Sequence, residues 1–221
     1  MELYHALNRG VDKRIIFLDD HDRARFVHDL FEFNDSGSTN NVTHSFRNKD
    51  LRSPYLKKKE RIVDLHGWVL MENHYHLLLS ERVEGGISQF LRKLNIGYAK
   101  YFNEKYRRSG TLFQGRTKKI LIERDSQFNY ILHYIHLNPL DYLTGAEDWR
   151  IRDKKGIKNT RNALDYLDTY RWSSYLDYAG KKNFPSILTT SLFNEHGSYT
   201  KTLSEYLMDA EFDNDTKLNL E

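Results

Sequence analysis

Apolar positions in residues 1–140 recur in short runs with the period of a strand or of a helix. Two runs of strand length come first, at 3–9 and 15–18, on either side of the turn GVDK. A helix is then predicted to begin at Asp20 or His21. Three residues at helical spacing mark its apolar side: Phe26, Leu30 and Phe33.

The later patterns complete a known order of elements. They predict strands at 62–70 and 74–80, a helix from about Ser88 to Tyr106, a strand at 118–123, and a helix from Asp125 or Ser126 to Asn138. The two strands within 62–80 join through Glu72 and Asn73, which is a hairpin pattern. Strand, helix, two strands, helix, strand is the split βαβ order. The sequence therefore predicts an α+β fold: a ferredoxin-like antiparallel sheet with helices on one face, plus a C-terminal extension.

These elements are assigned to one predicted domain at 1–140. Residues 34–61 are polar and rich in Ser and Asn, so we expect a long loop inserted into that domain. Residues 141–221 are weakly patterned and are predicted to be an extension that packs on the same domain or trails from it. The aromatic segment at 170–180, YRWSSYLDYAG, is the part most suited to packing against the core.

Charge is spread unevenly, although the net charge of the 221 residues is only +3. Residues 105–119 carry six basic side chains and no acidic one, whereas residues 205–221 carry six acids and one lysine. A basic stretch interleaved with aromatic residues suits a nucleic-acid backbone. A solvated lysine-rich surface is the alternative. The acidic end is expected to be a surface helix or a disordered end.

Composition excludes several classes of protein. The chain has no cysteine, which rules out a disulfide scaffold and cysteine-ligated zinc. No apolar run approaches the roughly 20 residues that a membrane helix needs. The first ten residues, MELYHALNRG, lack the apolar core of a signal peptide. We therefore expect a cytoplasmic protein without a membrane partner.

Two histidines stand one residue apart in the strand pattern MENHYHLLLS, residues 71–80. Because side chains alternate along a strand, His74 and His76 share one face, with Cβ atoms about 7 Å apart. Two imidazoles at this spacing can bind one cation. The alternative is that both rings are structural and hydrogen-bonded, since a buried imidazole needs a partner.

The helix SQFNYILHYIHLNP, residues 126–139, carries a second candidate group. Its buried stripe is predicted to consist of Phe128, Ile131, Leu132 and Ile135. Tyr130, Tyr134 and Asn138 follow one another at intervals of four residues, and the 100° helical step places Tyr134 at the boundary between core and solvent. A phenol with an ordinary pKa near 10 attacks poorly unless a cation polarises its target, as a divalent ion on a phosphate does.

Several segments together resemble a known family. MENHYHLLL (71–79), YFNEKYRRSGTLFQGR (101–116) and YILHYIHLNP (130–139) resemble the HUH single-tyrosine transposases of the smallest bacterial insertion sequences. The likeness is greatest to REP-associated tyrosine transposases, and LNRGVDKRIIFLDDHDRARF and YRWSSYLDYAG are similar to further parts of that group. This resemblance covers about residues 3–180, apart from the predicted loop at 34–61. Each motif alone is weak, but four in the right order are specific.

The resemblance implies a site and a reaction. His74 and His76 correspond to the HUH histidines, Tyr134 to the nucleophile, and Asn138 to the polar residue that completes the metal site. The family implies Mg²⁺ or Mn²⁺, a 5′-phosphotyrosine intermediate with a free 3′-OH, and single-stranded DNA that folds into imperfect hairpins. Tyr130 is the fallback nucleophile because it lies on the same helix.

We therefore expect a DNA transposase that nicks and rejoins single-stranded DNA, works as a monomer or homodimer, and associates with the nucleoid. Seven residues are expected to contact the DNA backbone: Asn8, Arg9, Arg107, Arg108, Arg116, Lys118 and Lys119. Three alternatives stay open: a non-catalytic nucleic-acid-binding module that retains the transposase fold, a metal-dependent phosphodiester hydrolase that uses water, and a structural protein. The loop at 34–61 leaves DNA contacts on its side of the domain open.

Overall fold

Four strands form one antiparallel sheet in the computed structural model, which describes residues 1–37, 59–150, 159–193 and 198–208. The strands are β1 (Leu3–Arg9), β2 (Val63–Leu70), β3 (His74–Glu81) and β4 (Lys118–Leu121). Their spatial order is β2-β3-β1-β4, and every neighbouring pair is antiparallel. This is the ferredoxin-like order, so the predicted α+β class is confirmed.

The helices of the described residues follow the predicted positions closely through residue 137. They are α1 (Asp20–Glu32), α2 (Gly86–Lys105), α3 (Asp125–Leu137), α4 (Thr160–Thr169), α5 (Tyr175–Tyr178) and α6 (Tyr199–Met208). Asp19 caps α1 by accepting a hydrogen bond from the backbone N–H of Asp22 at 2.8 Å. Pro139 follows α3, where the chain continues as a 3₁₀ turn over Asn138–Tyr142.

Helices α1 and α2 pack on one face of the sheet, as the ferredoxin-like pattern predicts. Their apolar sides meet the β3 residues Tyr75, Leu77 and Leu79 in a fully buried cluster. Burial of these aromatic and aliphatic side chains contributes most of the free energy that holds the layer together.

The opposite face is also covered, which the prediction of helices on one face did not include. Helix α3 and the chain after it bury Leu3, Val69 and Leu78 in a second apolar cluster. Side chains alternate along β3, so Leu78 lies on the face of the sheet opposite to Leu77 and Leu79. Because β3 is therefore apolar on both faces, both faces must be covered. An ideal Cβ on Gly67 would lie 2.8 Å from the Leu132 side chain, so α3 comes very close to β2.

The predicted strand at 15–18 is wrong. Residues 14–19 form a loop whose apolar side chains Ile16 and Phe17 are buried in the first cluster. Both backbone N–H groups donate to the carbonyl of Glu72, at 2.9 and 3.1 Å. The apolar run therefore anchors a loop and does not pair along a strand.

The inserted loop predicted at 34–61 lies mostly outside the described residues, which omit 38–58. Its two described ends meet, since the N–H of Ser36 donates to the carbonyl of Glu60 at 3.0 Å. The side chain of Asn34 accepts from the N–H of Ile62 and of Val63, which fixes the entry to β2. The acidic segment is described only to Met208, and there it is helical. No helix in the described ranges is long and apolar enough to cross a membrane.

Candidate active site

The two predicted histidines lie on β3, on the face that α3 covers. His76 is paired with Leu7 of β1, and His74 is paired with Arg9. Their ring centroids are 4.9 Å apart and nearly perpendicular, and His76 is fully buried. The Nδ1 atom of His74 lies 2.6 Å from Oδ1 of Asn73.

A third histidine, His5, completes this row and was missed from the sequence. Its Nε2 lies 2.9 Å from Nδ1 of His76, and the two rings are stacked at 5.0 Å. The sequence signal was a histidine at an alternate position of the first strand, but its contact depends on the register between β1 and β3. Burial lowers the pKa of His5 to about 3. Burial, and then the charges of His5, His74 and Arg150, lower the pKa of His76 well below its ordinary value.

Tyr134, the predicted nucleophile, projects from α3 towards this row. Its ring centroid is 5.7 Å from that of His76 and 5.9 Å from that of His5, both edge-on. Its side chain is more buried than the boundary position predicted, with 5% of the residue exposed. The structure thus brings together the strand and helix groups that the sequence singled out separately.

Arg150, at the end of a 3₁₀ turn, links the phenol oxygen of Tyr134 to the side chain of Asn138. Asn138 is fully buried, and its Nδ2 donates to the carbonyl of Tyr134 at 2.7 Å. Arg150 donates through Nη1 to the Tyr134 hydroxyl at 3.0 Å and through Nη2 to Oδ1 of Asn138 at 2.8 Å. Asp141 accepts from the same guanidinium at 2.8 and 3.1 Å. Arg150 and Asp141 were not predicted, because no periodic pattern marks a contact made by an irregular turn.

A cavity of about 470 Å³ opens beside the histidines. Four of the seven predicted DNA contacts line it together with His74, His76, Asp141 and Arg150: Asn8, Arg9, Arg116 and Lys118. We call Arg9, Arg116 and Lys118 the basic rim of this cavity, and His74 and His76 also line it. Positively charged side chains around a cavity suit a phosphate group.

The other three predicted DNA contacts lie outside this cavity. Arg107 and Arg108 follow the end of α2, where Arg108 donates to Asn103 at 2.7 Å and lies over the ring of Phe102. Lys119 follows Lys118 on β4, and adjacent side chains of a strand point to opposite faces of the sheet. The Lys119 ammonium therefore points away from the cavity and donates to Ser88 at 2.8 Å. The basic stretch at 105–119 is thus divided between several surfaces.

Tyr130, the fallback nucleophile, lies one turn before Tyr134. Its ring centroid is 5.7 Å from those of Tyr134 and of Tyr206 on α6. It is half-buried and, like Tyr134, is not among the residues that line the cavity, but the described contacts of a tyrosine ring with His76 and His5 are those of Tyr134.

The nitrogen of His76 and the side-chain oxygen of Asn138 are ligand atoms that suit a divalent cation. The Nε2 atom of His76 is buried and, within the described chain, has no hydrogen-bond partner. Its Nδ1 is engaged by His5, which is the arrangement expected of a metal-binding imidazole. The carbonyl oxygen of Asn138 has two lone pairs, so the bond from Arg150 leaves one for a second interaction.

A second group of potential ligands, Asp19, His21 and Asp22, lies at the start of α1. Lys105 donates to Asp19 at 2.8 Å and to Asp22 at 2.7 Å. This ammonium group already supplies the positive charge that the carboxylates require, so the group has a structural explanation.

The sequence model of the family described as "Transposase IS200 like" matches residues 27–138. The chain therefore belongs to the IS200-like transposase family, a family of DNA transposases, and the predicted family resemblance is confirmed. Among solved structures, the chain is similar to a REP-associated tyrosine transposase bound to a REP hairpin, at 12% identity and a TM-score of 0.46. That alignment covers 89% of this chain and 90% of the other. No curated protein matches the sequence.

Proposed function

We propose that this chain nicks and rejoins single-stranded DNA through a 5′-phosphotyrosine on Tyr134. The observation that carries the proposal is the position of the Tyr134 ring against His76 and His5, beside a cavity with a basic rim. Family membership supports DNA as the substrate, and the sequence resemblance favours strands that fold into hairpins.

His74, His76 and Asn138 would hold one Mg²⁺ or Mn²⁺. When bound, the cation would draw electron density from a non-bridging oxygen of the scissile phosphate and so stabilise charge in the transition state. The amide oxygen of Asn138 and bound water are ligand types that suit both ions, and Mg²⁺ would keep more of its water than Mn²⁺. The orphaned Nε2 of His76 is the structural support for this assignment.

The protein residues then have distinct tasks in cleavage. Arg9, Arg116 and Lys118 bind the DNA backbone along the cavity rim, and Asn8 contacts it at the end of β1. The phenol oxygen of Tyr134 forms a bond to phosphorus while the bond to the 3′-oxygen breaks, and the phenol proton passes to solvent. The 3′-oxygen takes up a proton from solvent and the upstream strand leaves with a 3′-OH, while the downstream 5′ end stays on Tyr134. A second 3′-OH reverses the step and restores the tyrosine.

The decisive experiment uses hairpin-forming single-stranded DNA labelled at its 3′ end, with Mn²⁺. Because the 5′ phosphate of the downstream fragment joins the protein, the 3′ label is expected in an SDS-resistant complex. The same DNA labelled at its 5′ end should release a free fragment with a 3′-OH. Tyr134→Phe should abolish the complex and leave DNA binding within about threefold, since only the hydroxyl that makes the covalent bond is lost.

Tyr130→Phe is the matched control, one helical turn away, and should retain the complex. Loss of the complex in Tyr130→Phe with retention in Tyr134→Phe would transfer the nucleophile to Tyr130. Cleavage that persists in Tyr134→Phe and leaves a free 5′-phosphate would favour the hydrolase alternative. Binding without cleavage by the unmodified chain would favour the non-catalytic module.

A further inference from the structure

The guanidinium of Arg150 is built into the site at the phenol oxygen of Tyr134. One nitrogen, Nη1, donates to the Tyr134 hydroxyl at 3.0 Å, and Nη2 donates to the Asn138 side chain at 2.8 Å. The guanidinium also lies over the Tyr134 ring, with 5.3 Å between its central carbon and the ring centroid. Arg150 therefore contacts both the proposed nucleophile, Tyr134, and the proposed metal ligand, Asn138.

Two anchors hold this guanidinium in a fixed orientation. Asp141 accepts from Nη2 at 2.8 Å and from Nε at 3.1 Å, a two-point contact that matches the planar fork of arginine. The ring of Trp149 lies under the central carbon at 4.3 Å, and its indole N–H donates to Asp141 at 2.6 Å. Arginine can satisfy all these contacts at once, whereas the single ammonium of lysine cannot.

Arg150 is also open to the substrate side. It lines the cavity with the basic residues of the rim, and 29% of its side chain is exposed. A phosphate placed within reach of Tyr134 would therefore lie beside a fixed positive charge.

We propose that Arg150 is a catalytic residue that positions the attacking oxygen of Tyr134 and binds the phosphoryl group as it is transferred. This inference rests on the proposed function, in which Tyr134 is the nucleophile. Arg150 acts only as a donor: it keeps its protons while the oxygen–phosphorus bond forms and the bond to the 3′-oxygen breaks. In the covalent intermediate, Nη1 would stay at the phosphotyrosine, because Nη2 and Nε donate to Asn138 and Asp141, so the return step would use the same contact.

The test compares the rate of adduct formation with DNA affinity in Arg150→Ala and Arg150→Lys. At saturating DNA, we expect the single-turnover rate to fall by about 10²–10³-fold in Arg150→Ala, as for the loss of one preorganised donor at a reacting oxygen. The dissociation constant for DNA should change by less than about fivefold, because the rim residues supply most of the backbone contacts. Arg150→Lys should recover only part of the rate.

Guanidinium ion at sub-denaturing concentration should partly restore the rate of Arg150→Ala, which a purely structural loss would not allow. Arg82→Ala is the matched control, since Arg82 pairs with Asp64 at 2.9 Å and is half exposed. It should keep the full rate.

The two proposals fail in different ways. If the unmodified chain forms the Tyr134 adduct and Arg150→Ala forms it at the same rate, the inference about Arg150 is overturned and the proposed function stands. A rate loss that guanidinium does not relieve and that parallels a loss of folded protein or of DNA affinity also overturns it. Absence of the adduct in the unmodified chain overturns both.

Discussion

At the scale of single residues, His5 is the hydrogen-bond partner of His76, the proposed metal ligand. For a neutral His76 to bind a cation through Nε2, its proton must be on Nδ1, the atom that lies 2.9 Å from His5. In that state His76 donates to Nε2 of His5, which fixes both the tautomer and the orientation of the His76 ring. Among the described residues, the buried Nε2 of His76 and the buried Nδ1 of His5 have no hydrogen-bond partner, and Nε2 of His76 is the atom that the proposed cation would bind.

Replacing His5 by Phe keeps an aromatic ring in this row but removes the acceptor for His76. We expect the affinity for Mn²⁺ to fall by about 10- to 100-fold, the usual cost of losing the hydrogen-bond partner of a metal ligand. Titration calorimetry or the electron paramagnetic resonance signal of free Mn²⁺ measures this without DNA. His5→Gln, whose amide oxygen can accept from Nδ1, is the control and should lose less. Equal affinity in all three proteins would remove His5 from the metal site.

At the scale of elements, the site depends on how closely α3 approaches the sheet. The Leu132 side chain of α3 packs against Gly67 of β2, where a Cβ atom would leave too little room. Tyr134 lies two residues after Leu132 on the same helix. The existence of α3 could be predicted, because helical periodicity depends on local sequence alone, but Tyr134 is more buried than the predicted boundary position. The face that α3 covers could not be predicted, since β3 is apolar on both faces. Residues 15–18 have the composition of a strand for a similar reason: a buried segment is apolar whether or not it pairs with a strand.

Gly67→Val should therefore move α3 away from the sheet. We expect it to destabilise the fold by about 1–3 kcal/mol through overpacking and to reduce adduct formation more than DNA binding. Urea unfolding and the adduct assay measure the two effects. The double variant Gly67→Val with Leu132→Ala should be more stable than the sum of the single variants predicts, since the new side chain fills the space that Leu132 leaves. Strict additivity would show that the two positions do not compete for the same space.

At the scale of the whole molecule, the fold places the basic side chains of residues 105–119 on different surfaces. The sequence shows only that residues 105–119 are positively charged, and the fold then directs their side chains to different surfaces. Lys118 lines the cavity, Lys119 contacts α2 on the opposite face, and Lys105 is paired with Asp19 and Asp22. Charge along a chain thus predicts a class of partner, while the alternation of a strand decides which charges reach it.

The neighbours Lys118 and Lys119 allow a direct test of this sorting. Lys118→Ala should lower the slope of log affinity for single-stranded DNA against log salt by about 0.7, the value for one lost phosphate contact. Lys119→Ala should leave the slope unchanged, because its ammonium faces Ser88. Fluorescence anisotropy at several salt concentrations measures both. Equal slopes for the two variants would place the DNA on a surface other than the cavity rim.

The position of β1 inside the sheet has a practical consequence for anyone who cuts this protein down for expression. The family match begins at residue 27, after β1 has ended, and stops at residue 138. A fragment with those limits would leave β3 without its seven register partners on β1 and would detach β4, which pairs with the sheet through β1. It would also lack His5 and Arg150. A useful truncation must therefore retain Leu3 at one end and the turn that carries Arg150 at the other.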